Sequence, residues 1–316
     1  MKNAYSIPRM PDAARTAAEA WMDDWSRHPM NGEGASEERI GRMWGASAKT
    51  YSSARYSGIA DEVVEEMEFM GLLGGSVLDI GCGTGAYSVR FSPRCDRVVA
   101  LDSSPEMLEV LRSRCEEASA SNVDPVECDC RSIPDALACG TAFSSLCPAM
   151  NFPERILDME RLGHRRVYIS SCDDGEDSLE MEVWRALGKS YTYRGYLTDH
   201  PYRFLRGMGR DPEMHRFTQK NEAKAPEEEM IKTLERLVST YRDVTDTERS
   251  AIRRVVSDHS SNGFVDLSRT ITMGMLTWRC SHQGSMSVLS VLPLRLFAFE
   301  TDLGPVGREA RVLFHG

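Results

Sequence analysis

Apolar positions along this chain follow two rhythms. Short, nearly continuous apolar runs close on an acid, a polar residue or a glycine at 77–80, 98–102 and 166–170, and a weaker strand signal, Val-Asp-Pro-Val, lies at 123–126. Runs of this length predict strands buried on both faces, as in a parallel sheet. Between and around them the apolar residues recur every three or four positions, as in Val63, Met67 and Met70, in Leu108 and Leu111, and in Leu179, Val183 and Leu187. That is the spacing of helices that cover a sheet with one face. Strands alternating with helices predict an α/β fold.

The remaining segments extend this pattern. A helix from Pro11 sets Ala14, Ala17 or Ala18, Trp21 and Trp25 on one side and ends near His28-Pro29, and Asn31-Gly-Glu-Gly34 then forms a joint before a second helix that carries Trp44. Gly74-Gly75 is expected to end the helix of 61–72. A helix starts near Ala86, and a fourth strand lies within 136–146, interrupted by Gly140. Beyond an aromatic, polar stretch at 191–203 come a strand at 214–218 and a helix from Pro226 with Met230, Ile231, Leu234, Leu237 and Val238 on its apolar face. Another helix, capped at Thr245-Asp246, carries Ile252, Val255 and Val256, and a last strand at 270–278 is expected at the sheet edge. Leu292, Leu294 and Leu296 alternate, which suits an extra strand or one exchanged with a second copy, so a homodimer stays open. These boundaries divide the chain into a helical cover (1–60), a central domain (61–283) and a C-terminal extension (284–316) without a functional argument.

Charge and cysteines narrow the function. A net charge of −10 without clustered Lys or Arg argues against a nucleic acid partner. The longest apolar stretch, 288–299, is broken by Pro293 and Arg295, and the N-terminus has no apolar signal core, so no membrane partner and a cytoplasmic location are expected. Nine scattered cysteines without a C-x-x-C pair predict reduced thiols, and Cys128-x-Cys130 alone cannot build a metal site.

The chemistry concentrates where the first strand ends. Asp79-Ile-Gly81-Cys82-Gly83-Thr-Gly85 spaces its glycines G-x-G-x-G, unlike the G-x-G-x-x-G of dinucleotide loops, and glycine there lets a ligand approach the backbone. Seventeen residues past Gly85 the second strand ends in Asp102, where a carboxylate can accept from both ribose hydroxyls. Ser103-Ser-Pro-Glu-Met107 follows with an N-cap serine and a first-turn proline. Glu127-Cys-Asp129-Cys130-Arg-Ser-Ile-Pro134 comes after the third strand, and Trp44 and Tyr51 stand seven apart upstream.

Together these segments resemble the class I, Rossmann-like S-adenosylmethionine-dependent methyltransferases of small-molecule type, most strongly from Val77 to Pro134. The resemblance implies a doubly wound, mostly parallel seven-stranded sheet with strand 7 antiparallel, and a helical N-terminal lid. It implies S-adenosyl-L-methionine as cofactor, bound by Asp79, Gly81, Cys82, Gly83, Gly85, Asp102, Ser103, Met107, Asp129 and Cys130, with Trp44 and Tyr51 at its methionine end and Cys147 where the site closes after strand 4. Asp129 would accept from the adenine amino group.

Methyl transfer needs positioning more than acid–base machinery, which agrees with a sequence showing no metal cluster, triad or nucleophile elbow. Cys147-Pro-Ala-Met150 stands where N-methylating enzymes often carry N-P-P-Y, which disfavours nucleobases. Tyr191, Tyr193, Tyr196, His200 and Tyr202 are the candidate acceptor contacts, and His200 and Tyr196 the weak candidates for catalysis. The expected activity is methylation of a small molecule; the alternatives are a protein methyltransferase, or a protein that binds the adenosyl ligand without turnover.

Overall fold

A computed structural model of the protein describes residues 10–32, 34–49 and 57–279. Tyr51 and the alternating leucines of the C-terminal extension lie outside the described residues. In chain order the elements are α1 (Asp12–Ser26), α2 (Glu37–Ser47), α3 (Ser57–Phe69), β1 (Ser76–Ile80), α4 (Ser88–Phe91), β2 (Arg97–Asp102), α5 (Pro105–Glu117) and β3 (Val123–Glu127). They continue with β4 (Cys139–Ser145), α6 (Pro153–Leu162), β5 (Gly163–Ser171), α7 (Leu179–Ala186), α8 (Asp199–Gly207), β6 (Glu213–Asn221) and β7 (Lys224–Pro226). The last are α9 (Glu227–Tyr241), α10 (Asp246–Asp258), β8 (Ser260–Ser261), β9 (Phe264–Asp266) and β10 (Arg269–Thr277).

Seven strands form one sheet in the order β3-β2-β1-β4-β5-β10-β6. β1 to β5 pair in parallel, whereas β10 runs antiparallel to both β5 and β6. The last strand is therefore interior, and the edge belongs to β6. Its second half shows why, since Met273, Met275, Leu276 and Thr277 are all buried, which requires cover on both faces and both sides. β7, β9 and β8 form a separate small sheet.

Successive residues of a strand point to opposite faces, so the buried strands feed two cores. Val77, Val98 and Ala100 join Val63 and Met67 of α3 and Leu108 and Leu111 of α5. Leu78, Ile80, Val99 and Leu101 join Trp21 and Trp25 of α1, Ile156 and Met159 of α6 and Phe204 of α8. α1 is thus part of the second core. A Cβ on Gly207 would lie 2.6 Å from the Ala14 Cα, and one on Gly195 2.6 Å from the Trp25 Cα, so glycine lets the α8 region meet α1 at backbone distance. A third core joins Trp184 of α7, Leu234 of α9 and Ile252 of α10, with a Thr245–Glu248 capping box at the start of α10.

Two local expectations need correction. Helix α3 stops before Gly71, which adopts φ 68° while the Leu72 N–H returns to the Met67 carbonyl, so Gly71 ends it and Gly74-Gly75 only shape the entry to β1. The helix after the glycine loop starts at Ser88 and lasts four residues, because Pro93 brings a 3-10 turn at Ser92–Arg94. Among the described residues no helix is long and apolar enough to cross a membrane.

Candidate functional site

The site is built where β1 and β2 end side by side. After Ile80 the chain turns through Gly81, Gly83 and Gly85 at φ 73°, 52° and 83°, a region L side chains rarely occupy. The Gly81 and Cys82 N–H groups both donate to the Leu101 carbonyl, at 2.8 and 2.9 Å, which ties the loop to the neighbouring strand. Arg114 of α5 donates to the Thr84 carbonyl at 3.1 Å and hydroxyl at 2.8 Å and fixes the loop from the other side.

Asp102 ends β2 with both oxygens anchored. Its Oδ2 accepts from the Gly83 N–H and its Oδ1 from the Ser104 N–H, each at 2.9 Å. Each oxygen keeps a further lone pair for a ligand, so the carboxylate is oriented before anything binds. Burial raises its pKa against these N–H bonds. Ser104 caps α5 by accepting from the Met107 N–H at 3.2 Å.

Asp79 lies deeper, 2% exposed, and accepts from the Ser88 hydroxyl at 2.5 Å. Loss of water around it pushes its pKa up to about 7. A carboxyl so placed favours a cationic partner.

These groups share one cavity of about 1030 Å³. Asp79, Gly81, Cys82, Gly83, Asp102, Ser103, Met107, Asp129, Cys130, Cys147 and Trp44 all line it. Gly85 does not; a Cβ there would lie 2.2 Å from Leu111 Cδ1, so this glycine lets the loop pack on α5. Asp129 is already engaged, accepting from the Arg131 backbone N–H at 2.9 Å and from its guanidinium Nε and Nη2, which holds its pKa down. Arg131 also bonds Glu37 of α2. Gly81 gives way to Cys147, since a Cβ at 81 would sit 2.4 Å from its Sγ. Leu146, just before, has φ 50°, a costly conformation for a branched side chain that turns the chain after β4 across the cavity. Burial raises the pKa of the Cys82 thiol, and a hydrogen bond shared with Cys147 raises that of Cys130.

The aromatic stretch has a different setting. None of Tyr191, Tyr193, Tyr196, His200 and Tyr202 lines the cavity. His200 stacks on Trp21 and its Nε2 lies 3.1 Å from Asp24, burial lowering its pKa. Tyr196 meets Trp25 edge-on at 5.0 Å. Both join the region after β5 to α1.

Several lining residues carry no local sequence signal. Glu37, Glu38, Ile40, Gly41 and Arg42 arrive on α2, Trp25 and Met30 from the end of α1, Phe152 from the segment after β4, and Met273 from β10. Only the amphipathic face of α1 hinted at one of them, Trp25. Among the described residues no group of three or more His, Cys, Asp or Glu could hold a metal ion.

Residues 77–158 match the protein family described as Methyltransferase domain (Methyltransf_25). No curated protein matches the sequence. Among solved structures the chain is similar to magnesium protoporphyrin IX methyltransferase (ChlM) from Synechocystis PCC 6803 with bound SAH, at 14% identity over 85% of this chain and 100% of that one, TM-score 0.45. It is also similar to the YcgJ protein from Bacillus subtilis, at 15% identity over 71% and 97% of the two chains, TM-score 0.47. A third likeness is to Precorrin-6y C5,15-methyltransferase from Geobacter metallireducens GS-15, at 14% identity over 71% and 87%, TM-score 0.41.

Proposed function

We propose that this chain, whose residues 77–158 match a methyltransferase-domain family, transfers a methyl group from S-adenosylmethionine to a small-molecule acceptor. The observation that carries the reading is the Asp102 carboxylate, held by the Gly83 and Ser104 N–H groups with free lone pairs at the wall of the cavity. Two hydroxyls of a ribose fit that arrangement, and the buried Asp79 suits the ammonium of an amino-acid tail. The bound donor supplies an activated methyl group on a sulfonium for in-line displacement.

The protein's own work is then to orient and to exclude water. The segment Leu146 to Ala149 and Phe152 wall the cavity from the side of β4, and Trp25 and Met30 close it from α1. Their apolar character supports an acceptor with little charge. The lining arginines are already paired, Arg42 with Glu38 and Arg131 with Asp129 and Glu37, so neither is set aside for an acceptor carboxylate or phosphate. Residues 1–60 act in this reading as a cover, α1 fixed and α2 across the opening.

Calorimetric titration of the protein and of Asp102→Ala with S-adenosylhomocysteine tests the proposal. Two charge-assisted hydrogen bonds of about 1.5–3 kcal/mol each are at stake, so the variant is expected to bind at least about tenfold more weakly while staying folded. Binding of NADH in place of S-adenosylhomocysteine would refute the donor assignment.

A further inference from the structure

We infer that Gly41 of α2 is a specificity-determining residue: its missing side chain leaves the space in which the adenosyl part of the donor lies against the helix. The inference rests on the donor assignment above and adds the residue on the opposite wall.

Gly41 is singular among the described glycines. Each of the others has a positive φ or a protein atom within 3.2 Å of where its Cβ would be, so backbone or packing calls for glycine there. Gly41 has neither; it is helical, and a Cβ would meet nothing within 4 Å. Glycine is the poorest helix former apart from proline, so inside a helix with no fully buried residue it weakens the element and gains no internal contact. It lines the cavity.

Its neighbours on the same helical face say which part of the cavity it covers. Glu37, Gly41 and Gly45 recur every fourth residue and stand one above the other. Glu37 bonds Arg131, just past β3, and Gly45 closes on Glu106 at the start of α5, where a Cβ would lie 2.9 Å from Oε2. Gly41 falls between these contacts, over the gap between the ends of β2 and β3. The Asp102 carboxylate and Met107 line the cavity on one side of that gap, Asp129 and Cys130 on the other. A nucleoside held by Asp102 and extending toward Asp129 passes beneath Gly41.

The test uses the full chain, Gly41→Ala, Gly41→Met and, as control, Ala46→Met, an exposed α2 position that does not line the cavity. Unliganded, Gly41→Ala is expected to melt about 2 °C higher than the parent because alanine favours the helix. Calorimetry with S-adenosylhomocysteine is expected to give at least about tenfold weaker binding for Gly41→Met, a smaller loss for Gly41→Ala, and parental affinity for Ala46→Met. Parental affinity in both Gly41 variants, or an equal loss in Ala46→Met, overturns the inference. If Gly41→Met does not fold, Gly41→Ala decides by the same comparison. A parent protein that fails to bind S-adenosylhomocysteine overturns the donor assignment itself, and the inference with it.

Discussion

Asp79 and Asp102 stand on adjacent strands with different electrostatic settings. Asp102 is anchored by two N–H groups, whereas Asp79 has been stripped of water with the Ser88 hydroxyl as its side-chain donor. Its carboxyl therefore titrates at about 7 against an unfolded value of 3.8. The native state keeps a proton that the unfolded chain releases, so the contribution of Asp79 to stability is full below pH 3.8, falls as the pH rises and has gone above about 7. The whole span is on the order of 4 kcal/mol. Asp79→Asn, which cannot ionise, is expected to gain stability relative to the parent between pH 5 and pH 8 in urea unfolding. For the same reason an ammonium ligand binds best when Asp79 is charged, so the affinity for S-adenosylhomocysteine is expected to rise through pH 7 in the parent and to stay flat in Asp79→Asn. A flat profile in the parent would show that the amine rests elsewhere. The line between legible and hidden residues follows the same local logic. Asp79, Asp102 and the glycines announce themselves because strand ends, acids and glycine spacing are read within short stretches of sequence, although the groups they meet come from elsewhere, as Gly83 does for Asp102 and Cys147 for Gly81. Glu37 and Trp25 reach the cavity only through tertiary packing, and Arg131, although beside Cys130, is bound to Asp129 in a way no spacing reveals. His200 reads more readily as a packing group than as a catalytic base, and in the structure it stacks on Trp21.

The glycine loop is one element in sequence, yet its glycines serve different ends. Gly83 has φ 52° with open space where a Cβ would be, and Gly85 has φ 83° with Leu111 Cδ1 only 2.2 Å from that point. Alanine at 83 meets only the backbone cost of the left-handed region, about 1–2 kcal/mol. Alanine at 85 adds overpacking of about 1–3 kcal/mol against α5. Gly85→Ala is expected to be the less stable of the two in chemical denaturation, and Gly83→Ala to lose more ligand affinity than stability. β1 and β2 are legible as strands because Val77, Leu78 and Ile80 and then Val98 to Leu101 form short apolar runs with Asp79 and Asp102 at or next to their ends, whereas β3 carries Asp124 and Pro125 inside it and is a weaker signal. The interior place of β10 could not be read, since it depends on pairing with β6 some fifty residues away, a register no local pattern encodes. β8 and β9, of two and three residues, are too short to show a period, and α6 is hard to see in the sequence because its three buried anchors, Ile156, Met159 and Leu162, stand among charged residues after Pro153.

Across the molecule the first two helices are fastened in different ways. Helix α1 places Ala14, Ala18, Trp21 and Trp25 in the core beneath the sheet, the Trp21 indole N–H donating to the Gly195 carbonyl at 3.0 Å. Helix α2 buries no residue fully, and its described ion pairs to the rest of the chain are Glu37 to Arg131 and Arg39 to Asp243. Burying a large side chain contributes about 1.5–3 kcal/mol, while exposed ion pairs contribute about 0–1 kcal/mol. A cover that opens would therefore do so at α2 with α1 left in place. Truncation separates these roles. Removing residues 1–28 takes two tryptophans out of a packed core and is expected to yield an insoluble or molten product, read by the loss of a cooperative thermal transition. Removing residues 284–316 leaves every described residue that lines the cavity, since these run from Trp25 to Met273, and is expected to preserve both the transition and the affinity for S-adenosylhomocysteine. Loss of binding in that second truncation would show that donor binding needs residues 284–316.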